Sequence, residues 1–227
     1  MQGEHRAEYR WVILFVLFFA RTTMAFQYQS AAALAPFITQ SFAVSLAELG
    51  LLIGLYLGPG IVVAIPGGAL AARFGDTRVV TISLAMMLGG GLLIALSPNW
   101  EALLAGRVIA GIGGVIVNIV MTKMLVDWFA GREIGTAMGV FVSSWPLGIA
   151  AALISLPALA DIGGLLIGSL GTVTIVAVAL ILFVAFYRSA ATETPATSTK
   201  NSRDIPVKSL SLAAGVWALY NLSLIHI

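Results

Sequence analysis

Charge and cysteine are the two things this sequence has least of. Charged residues make up only 10% of its 227 residues and cysteine is absent, whereas soluble domains carry about a quarter charged residues. Without cysteine, disulfides, thiolate metal sites and cysteine nucleophiles are excluded. Both histidines, His5 and His226, lie at the ends of the chain, so neither is placed as a proton carrier within the apolar sequence.

The motifs of several enzyme classes are also absent. The sequence contains no G-x-S-x-G, no H-E-x-x-H and no phosphate-binding loop, which argues against serine hydrolases, zinc proteases and ATP hydrolysis by this chain. We therefore predict that the protein is not an enzyme and that it needs no cofactor or metal. The small net charge of +2 gives no reason to expect nucleic acid as a partner.

Long apolar runs fill most of the chain instead. Hydrophobic residues make up 59% of it and the mean hydropathy is +1.01, which indicates an all-α integral membrane protein in a lipid bilayer. A polar tail at 1–10 and a six-helix region at 11–187 come first, followed by a linker at 188–208 and the start of a seventh helix at 209–227. The six predicted spans are 11–37, 49–70, 79–96, 102–125, 135–159 and 165–187.

The distribution of basic residues predicts the orientation of the spans. The opposite loops contain no Lys or Arg, only Glu48, Glu101 and Asp161. Basic residues mark the cytoplasmic side of a membrane protein, so we expect a multi-pass protein of the cell (inner or plasma) membrane with a cytoplasmic N-terminus. The ten basic residues on that side are Arg6, Arg10, Arg73, Arg78, Lys123, Arg132, Arg188, Lys200, Arg203 and Lys208.

A charged turn separates the second and third spans. It reads Gly68-x-Leu70-Ala71-Ala72-Arg73-x-Gly75-Asp76-x-Arg78 and resembles the G-x-L-A-D-R-x-G-R-x-R loop of the major facilitator superfamily. Gly68 and Gly75 would let the backbone turn tightly, and Arg73 and Arg78 would hold the turn in water. Ala72 replaces the acidic residue of the pattern and Asp76 stands at a basic position, which puts a gating salt bridge centred on the missing carboxylate in doubt.

Two further elements resemble the same family. Residues 107–114 are similar to R-x-x-Q-G-x-G-A, with Ala110 in place of Gln, and residues 132–139 are similar to R-E-x-G-x-A-x-G. The resemblance covers residues 10–221. It implies the N-terminal half of a twelve-helix transporter, a six-helix bundle of two inverted three-helix repeats that lacks its C-terminal six-helix half. Residues 26–30, 122–124 and 144–148 look most like the cyanate and nitroimidazole permease-like branch.

Two arginines fall inside predicted spans. Arg21 lies about 15 Å into the first span, and Arg107 about 8 Å into the fourth from the opposite face, at 1.5 Å per residue. Because a charged side chain in a membrane helix faces protein or water, both are candidate ligands of an anionic substrate. In the alternative reading, each bonds backbone carbonyls or hydroxyls and holds helices together.

Four more residues complete the candidate substrate site. Tyr28 shares the face of Arg21, Gln29 lies at its edge, and Asn118 shares the stripe of Arg107. Trp145, next to Pro146, is either a stacking partner or a wall of the cavity. The sequence thus predicts a transporter, secondary active or facilitative, that moves a small anionic solute by alternating access. The alternative is a scaffold or channel-like half-unit that needs a partner half.

Overall fold

The structure is a computed structural model that describes residues 2–130 and 133–189. Within these ranges every regular element is an α-helix. The predicted linker from 190 onward and the predicted seventh helix lie outside the described residues. The helices are α1 (Gln2–Ala33), α2 (Ala35–Phe42), α3 (Leu46–Gly54), α4 (Gly60–Phe74), α5 (Asp76–Ala95), α6 (Trp100–Phe129) and α7 (Ile134–Phe186).

The first predicted span corresponds to α1 with its continuation α2. The residues expected to form a polar tail continue the same helix, because α1 begins at Gln2. A break at Leu34 separates the two helices, and Pro36 lies in the first turn of α2, where a missing N–H costs nothing. α2 extends to Phe42, five residues beyond the predicted end.

The second predicted span is broken, although the sequence predicted one continuous helix. It begins as α3 after Ser45, whose hydroxyl and backbone N–H form a capping box with Glu48. Residues 55–59 are turns, and Pro59 is the N-cap of α4. Proline cannot donate to the carbonyl one turn earlier, which accounts for a break immediately before α4.

The predicted turns around α5 and α6 are confirmed. α4 ends at Phe74 and α5 begins at Asp76, joined by Gly75 at φ +89°, a conformation that favours glycine. Asn99 caps α6 by accepting a hydrogen bond from the N–H of Ala102, 2.9 Å away. Gly68, predicted to help form the turn, instead lies inside α4.

The longest helix represents two predicted spans. At 1.5 Å per residue, the 53 residues of α7 would measure about 80 Å, far more than the roughly 30 Å of a bilayer core. The backbone leaves helical geometry at Gly163 and at Gly164, where φ is +70°. This break divides α7 into a first arm, 134–162, and a second arm, 165–186, as the predicted turn at 161–164 requires.

Hydropathy supports the same division. Among the described residues, Tyr9–Ala33, α5, α6 and α7 are each long and apolar enough to cross a membrane, while α4 is shorter. Beyond these four, α2 and α3 are together apolar enough to cross a membrane, but they are bent by 120° at the break between them. If the break at 163–164 makes two spans of α7, and α3 with α4 is one broken span, the helices correspond to the six predicted spans.

Glycines allow close helix packing in one part of the bundle and not in another. α1 packs mainly on α7, and α5 packs on α6 and α7. A Cβ at Gly90 of α5 would lie 2.6 Å from the backbone of Gly106 and Ala110 of α6, so these helices meet backbone to backbone. In span two, by contrast, a Cβ at Gly50 or Gly54 would meet nothing within 4 Å among the described residues.

Candidate substrate site and the buried arginines

Arg21 joins three helices through one half-buried guanidinium. Its Nε donates to Oδ1 of Asn118 on α6 at 3.0 Å. Its Nη1 donates to the carbonyl of Phe141 at 2.8 Å and to Oγ of Ser144 at 3.3 Å, both on α7, and the guanidinium lies 4.7 Å from the ring centroid of Phe141. Among the described residues no hydrogen bond involves Nη2, which leaves its two N–H groups open to a ligand.

Arg107 is more deeply buried, with only 1% of the residue exposed. Its Nε donates to the carbonyl of Leu52 on α3, and Nη1 and Nη2 donate to the carbonyls of Gln27 and Tyr28 on α1. The guanidinium lies 4.7 Å from the ring centroid of Tyr56. This geometry favours the alternative role for Arg107, in which the side chain holds helices together.

The two arginines make reciprocal contacts. Arg21, in the first span, donates to the fourth and fifth spans, and Arg107, in the fourth span, donates to the first and second. Each lies over an aromatic ring of the second helix it contacts, Phe141 or Tyr56. This is the pattern expected when spans one to three and four to six are related as repeats, and it supports the three-plus-three symmetry predicted from the sequence.

The remaining candidates lie on three helices. Tyr28 and Gln29 are on α1, Asn118 is on α6 and Trp145 is on α7. The ring of Tyr28 stacks on Trp145 with centroids 5.6 Å apart, and it lies 5.9 Å from the ring of Tyr56. All four of Tyr28, Gln29, Asn118 and Trp145 are partly exposed. The structure therefore joins Arg21 to Asn118 and Tyr28 to Trp145, and places Gln29 beside Tyr28.

Tyr56 is an important residue that the sequence analysis missed. Its hydroxyl contacts Oε1 of Gln27 and the Met24 carbonyl at 3.3 and 3.4 Å. Its backbone and ring occupy the space that a Cβ at Gly111 or Gly114 would enter, so these glycines allow the close packing of Tyr56 on α6. The repeat could have revealed Tyr56, because a shift of 86 positions that places Arg21 on Arg107 brings Tyr56 next to Phe141.

Gln27 lies on a different face of α1 from Arg21. Its Nε2 donates to the carbonyl of Met87 on α5 at 2.9 Å, and Gln27 is fully buried. Gln27 therefore joins the first span to the third by a hydrogen bond between helices.

The charged turn carries an ion pair that the family pattern did not suggest. Asp76, in the first turn of α5, pairs with Lys123 of α6, whose Nζ also lies 3.2 Å from Oδ2 of Asp127. Asp76 is also well placed at a helix N-terminus. Arg73 and Arg78 are both exposed, and the guanidinium of Arg73 lies 5.3 Å from the ring centroid of Phe74.

The described residues thus define a multi-pass α-helical membrane protein with two arginines in its interior. Residues 13–226 match the Major Facilitator Superfamily. The chain belongs to this family of membrane transporters, and the prediction of a non-enzyme agrees with that membership.

Two similar transporters agree with this family assignment. The chain is 29% identical over 154 residues to the 4-hydroxybenzoate transporter PcaK of Acinetobacter baylyi, covering 61% of this chain and 33% of that protein. It is 27% identical over 144 residues to the lysosomal dipeptide transporter MFSD1 of Danio rerio, covering 62% and 31%. The chain thus spans about a third of the length of these relatives.

Solved structures confirm the fold. A peptide transporter POT in complex with sulfate, in its E310Q form, superposes with a TM-score of 0.70 at 19% identity, covering 93% of this chain and 46% of that one. The POT family transporter PepTSo gives 0.68 at 17% identity, covering 94% and 48%. The predicted fold class, half of a major facilitator bundle, is therefore confirmed.

Proposed function

We propose that this chain forms the N-terminal half of a secondary transporter that moves a small anionic solute by alternating access. The observation that carries the proposal is the guanidinium of Arg21. Asn118, Phe141 and Ser144 fix its Nε and Nη1, whereas Nη2 has no partner among the described residues. A guanidinium held in this way presents its free edge in one orientation, which suits a carboxylate or a similar planar anion.

Aromatic rings near Arg21 add a further class of candidate substrate. Tyr28 lies two helical turns from Arg21, about 10 Å along α1, and stacks on Trp145. The Acinetobacter relative is named for 4-hydroxybenzoate, a carboxylate on an aromatic ring. A guanidinium beside an aromatic wall has the groups to bind such a molecule, so we include small aromatic carboxylates with cyanate and nitrate among the substrates to be tested.

Arg21, Tyr28, Gln29, Asn118 and Trp145 form the proposed substrate face. Arg107, predicted as a further substrate ligand, is instead proposed to hold spans one, two and four together. The turn that contains Arg73, Gly75, Asp76 and Arg78 is proposed as the gating element on the cytoplasmic side, with the pair of Asp76 and Lys123 fixing it to α6. The placement in the cyanate and nitroimidazole permease-like branch stays a prediction.

The membrane setting completes the proposal. The ten-to-none distribution of basic residues favours a cytoplasmic N-terminus in the cell membrane. The chain covers 46% of the POT structure, so the proposed partner is a C-terminal six-helix half that closes the other side of the cavity.

Uptake into proteoliposomes tests the function. Radiolabelled 4-hydroxybenzoate, nitrate and cyanate are supplied to this chain alone and to the chain extended by a C-terminal half. We expect saturable uptake of at least one of them by the extended protein, reduced about tenfold or more in Arg21→Gln because a charged hydrogen bond of roughly 1.5–3 kcal/mol is lost. Arg188→Lys, on the exposed end beyond α7, is the control and should stay within about twofold.

Two results would contradict the proposal. Uptake that is unchanged in Arg21→Gln would remove Arg21 from the substrate site. A current that rises linearly with solute concentration, without saturation, would replace the transporter by a channel-like unit.

A further inference from the structure

A small cavity lies between the helices of this half, and neither Arg21 nor Tyr28 is among the residues that line it. It offers about 20 Å³ to the centre of a water-sized sphere, and roughly 10–15 Å³ is enough for one bound water. Helices α1, α2, α3, α5, α6 and the second arm of α7 all contribute to its lining. Most of the lining is aliphatic, which makes its few polar groups conspicuous: Gln27, Ser30, Arg107, Ser169 and Thr172.

Two of these polar groups have no hydrogen-bond partner among residues 2–130 and 133–189. Oγ of Ser169 and Oγ1 of Thr172 are buried and unpaired, with only 3% and 4% of these residues exposed. A buried hydroxyl without a partner costs about 1–3 kcal/mol, and serines and threonines in helices usually avoid that cost by donating to a carbonyl one turn back. Both hydroxyls line the same cavity, so one guest could bind both.

The third polar group, Arg107, carries a charge that no carboxylate in the described part of the chain neutralises. No salt bridge to Arg107 exists among the described residues, whose carboxylates lie at helix ends or beside Lys123 and Arg10. Four hydrogen bonds engage its guanidinium, and an arginine has five N–H groups. One N–H therefore remains on the cation that lines the cavity, and a buried cation is normally paired.

We propose that this cavity binds a single small inorganic anion of about the size of chloride. The hydroxyl groups of Ser169 and Thr172 donate hydrogen bonds to it, and Arg107 supplies the compensating charge. The aliphatic lining excludes larger or strongly hydrated anions. The site is separate from the proposed substrate face and does not rest on transport, because Arg107 is covered by protein while the free edge of Arg21 is not.

Stability in different sodium salts tests the proposal on the purified chain in nanodiscs. The midpoint of thermal unfolding is measured in sodium chloride, sodium bromide and sodium gluconate at constant ionic strength, since a ligand that binds only the folded state raises the midpoint with the logarithm of its concentration above the Kd. We expect chloride and bromide to raise it and gluconate, which is too large for the cavity, to leave it unchanged. In the double variant Ser169→Ala/Thr172→Val the chloride concentration that gives a fixed rise in the midpoint should increase at least tenfold.

Thr174→Val is the matched control. Thr174 lies on the same arm of α7 but is exposed, and its hydroxyl donates to the carbonyl of Leu170 at 2.9 Å. It should keep the response of the unmodified chain. An equal response to gluconate and chloride, the result expected if the cavity holds only water, would overturn the proposal. A chloride response that survives in the double variant would also overturn it, because chloride would then bind elsewhere.

Line broadening of the ³⁵Cl resonance provides a measurement that needs no variant. Chloride exchanging with a buried site broadens the resonance, and unlabelled bromide should reverse the broadening in proportion to its concentration. If the chain in nanodiscs broadens the line no more than empty nanodiscs, the proposal is wrong.

Discussion

Nε of Arg107 donates to the carbonyl oxygen of Leu52 across 3.1 Å, at the point where the second span breaks. In a continuous helix this carbonyl would accept from the N–H of Tyr56, which here turns to the carbonyl of Ile53 instead. The arginine thus occupies an acceptor that the break has freed. A polar side chain on the fourth span and an irregular backbone in the second stabilise each other.

Arg107→Lys should destabilise the fold. A lysine ammonium has no fork of fixed donors and cannot reach carbonyls on α1 and α3 together, so at least one buried carbonyl loses its partner at a cost of about 1–3 kcal/mol. Unfolding in mixed micelles, followed by tryptophan fluorescence, measures the loss. Arg73→Lys, exposed at the end of α4, is the control and should change stability by less than about 0.5 kcal/mol. Equal stability of the two variants would show that the Arg107 bonds contribute little.

Alanine substitutions at two adjacent glycines of α5 should differ in their effect on stability. A Cβ at Gly90 would lie 2.6 Å from backbone atoms of α6, whereas a Cβ at Gly89 meets nothing within 4 Å. Gly90→Ala should therefore cost about 1–3 kcal/mol by forcing the helices apart, while Gly89→Ala should be neutral or stabilise by up to about 1 kcal/mol. The same micelle unfolding assay measures both. If the two variants are equally stable, α5 and α6 are not in backbone contact at this point.

The ion pair between Asp76 and Lys123 should contribute modestly. The side chain of Lys123 is 59% exposed and that of Asp76 19%, and ion pairs of this kind are worth about 0.2–1 kcal/mol. A double-mutant cycle of Asp76→Asn and Lys123→Met should yield a coupling energy in that range that falls with added salt. Asp127→Asn provides the comparison, because Asp127 also lies within reach of Lys123. A coupling energy near zero at low salt would contradict a role for the pair.

The sequence predicted the features that depend on the length of the apolar segments. It did not predict a helix break at which a distant side chain hydrogen-bonds a freed carbonyl. The six spans and the turns at Gly75 and Asn99 follow from hydropathy and turn residues. The break at residues 55–59 was missed because proline is common in membrane helices, so the presence of Pro59 does not by itself indicate a break. Whether it breaks the helix depends on a partner for the freed carbonyls, and that partner, Arg107, is about fifty residues away.

The same limit applied to the candidate site. Their charge and their position inside predicted spans identified Arg21 and Arg107 as candidate site residues. The sequence pattern did not distinguish a substrate ligand from a residue that holds helices together. Only the neighbours distinguish them, since carbonyls surround Arg107, whereas Arg21 keeps one edge free. The ring of Tyr56 contacts both Arg107 and Tyr28, and nothing in its own short segment indicated that role.

The absence of cysteine makes the predicted orientation directly measurable. A single cysteine can be introduced as Arg78→Cys or as Asp161→Cys, at exposed positions on opposite predicted sides of the membrane. With the basic residues on the cytoplasmic side, a membrane-impermeant maleimide added to intact cells should label the cysteine of Asp161→Cys and spare that of Arg78→Cys. Permeabilised cells, in which both should react, control for reactivity. The reverse pattern in intact cells would invert the orientation, and it would place the turn around Gly75 on the outer surface, where the proposed cytoplasmic gate could not operate.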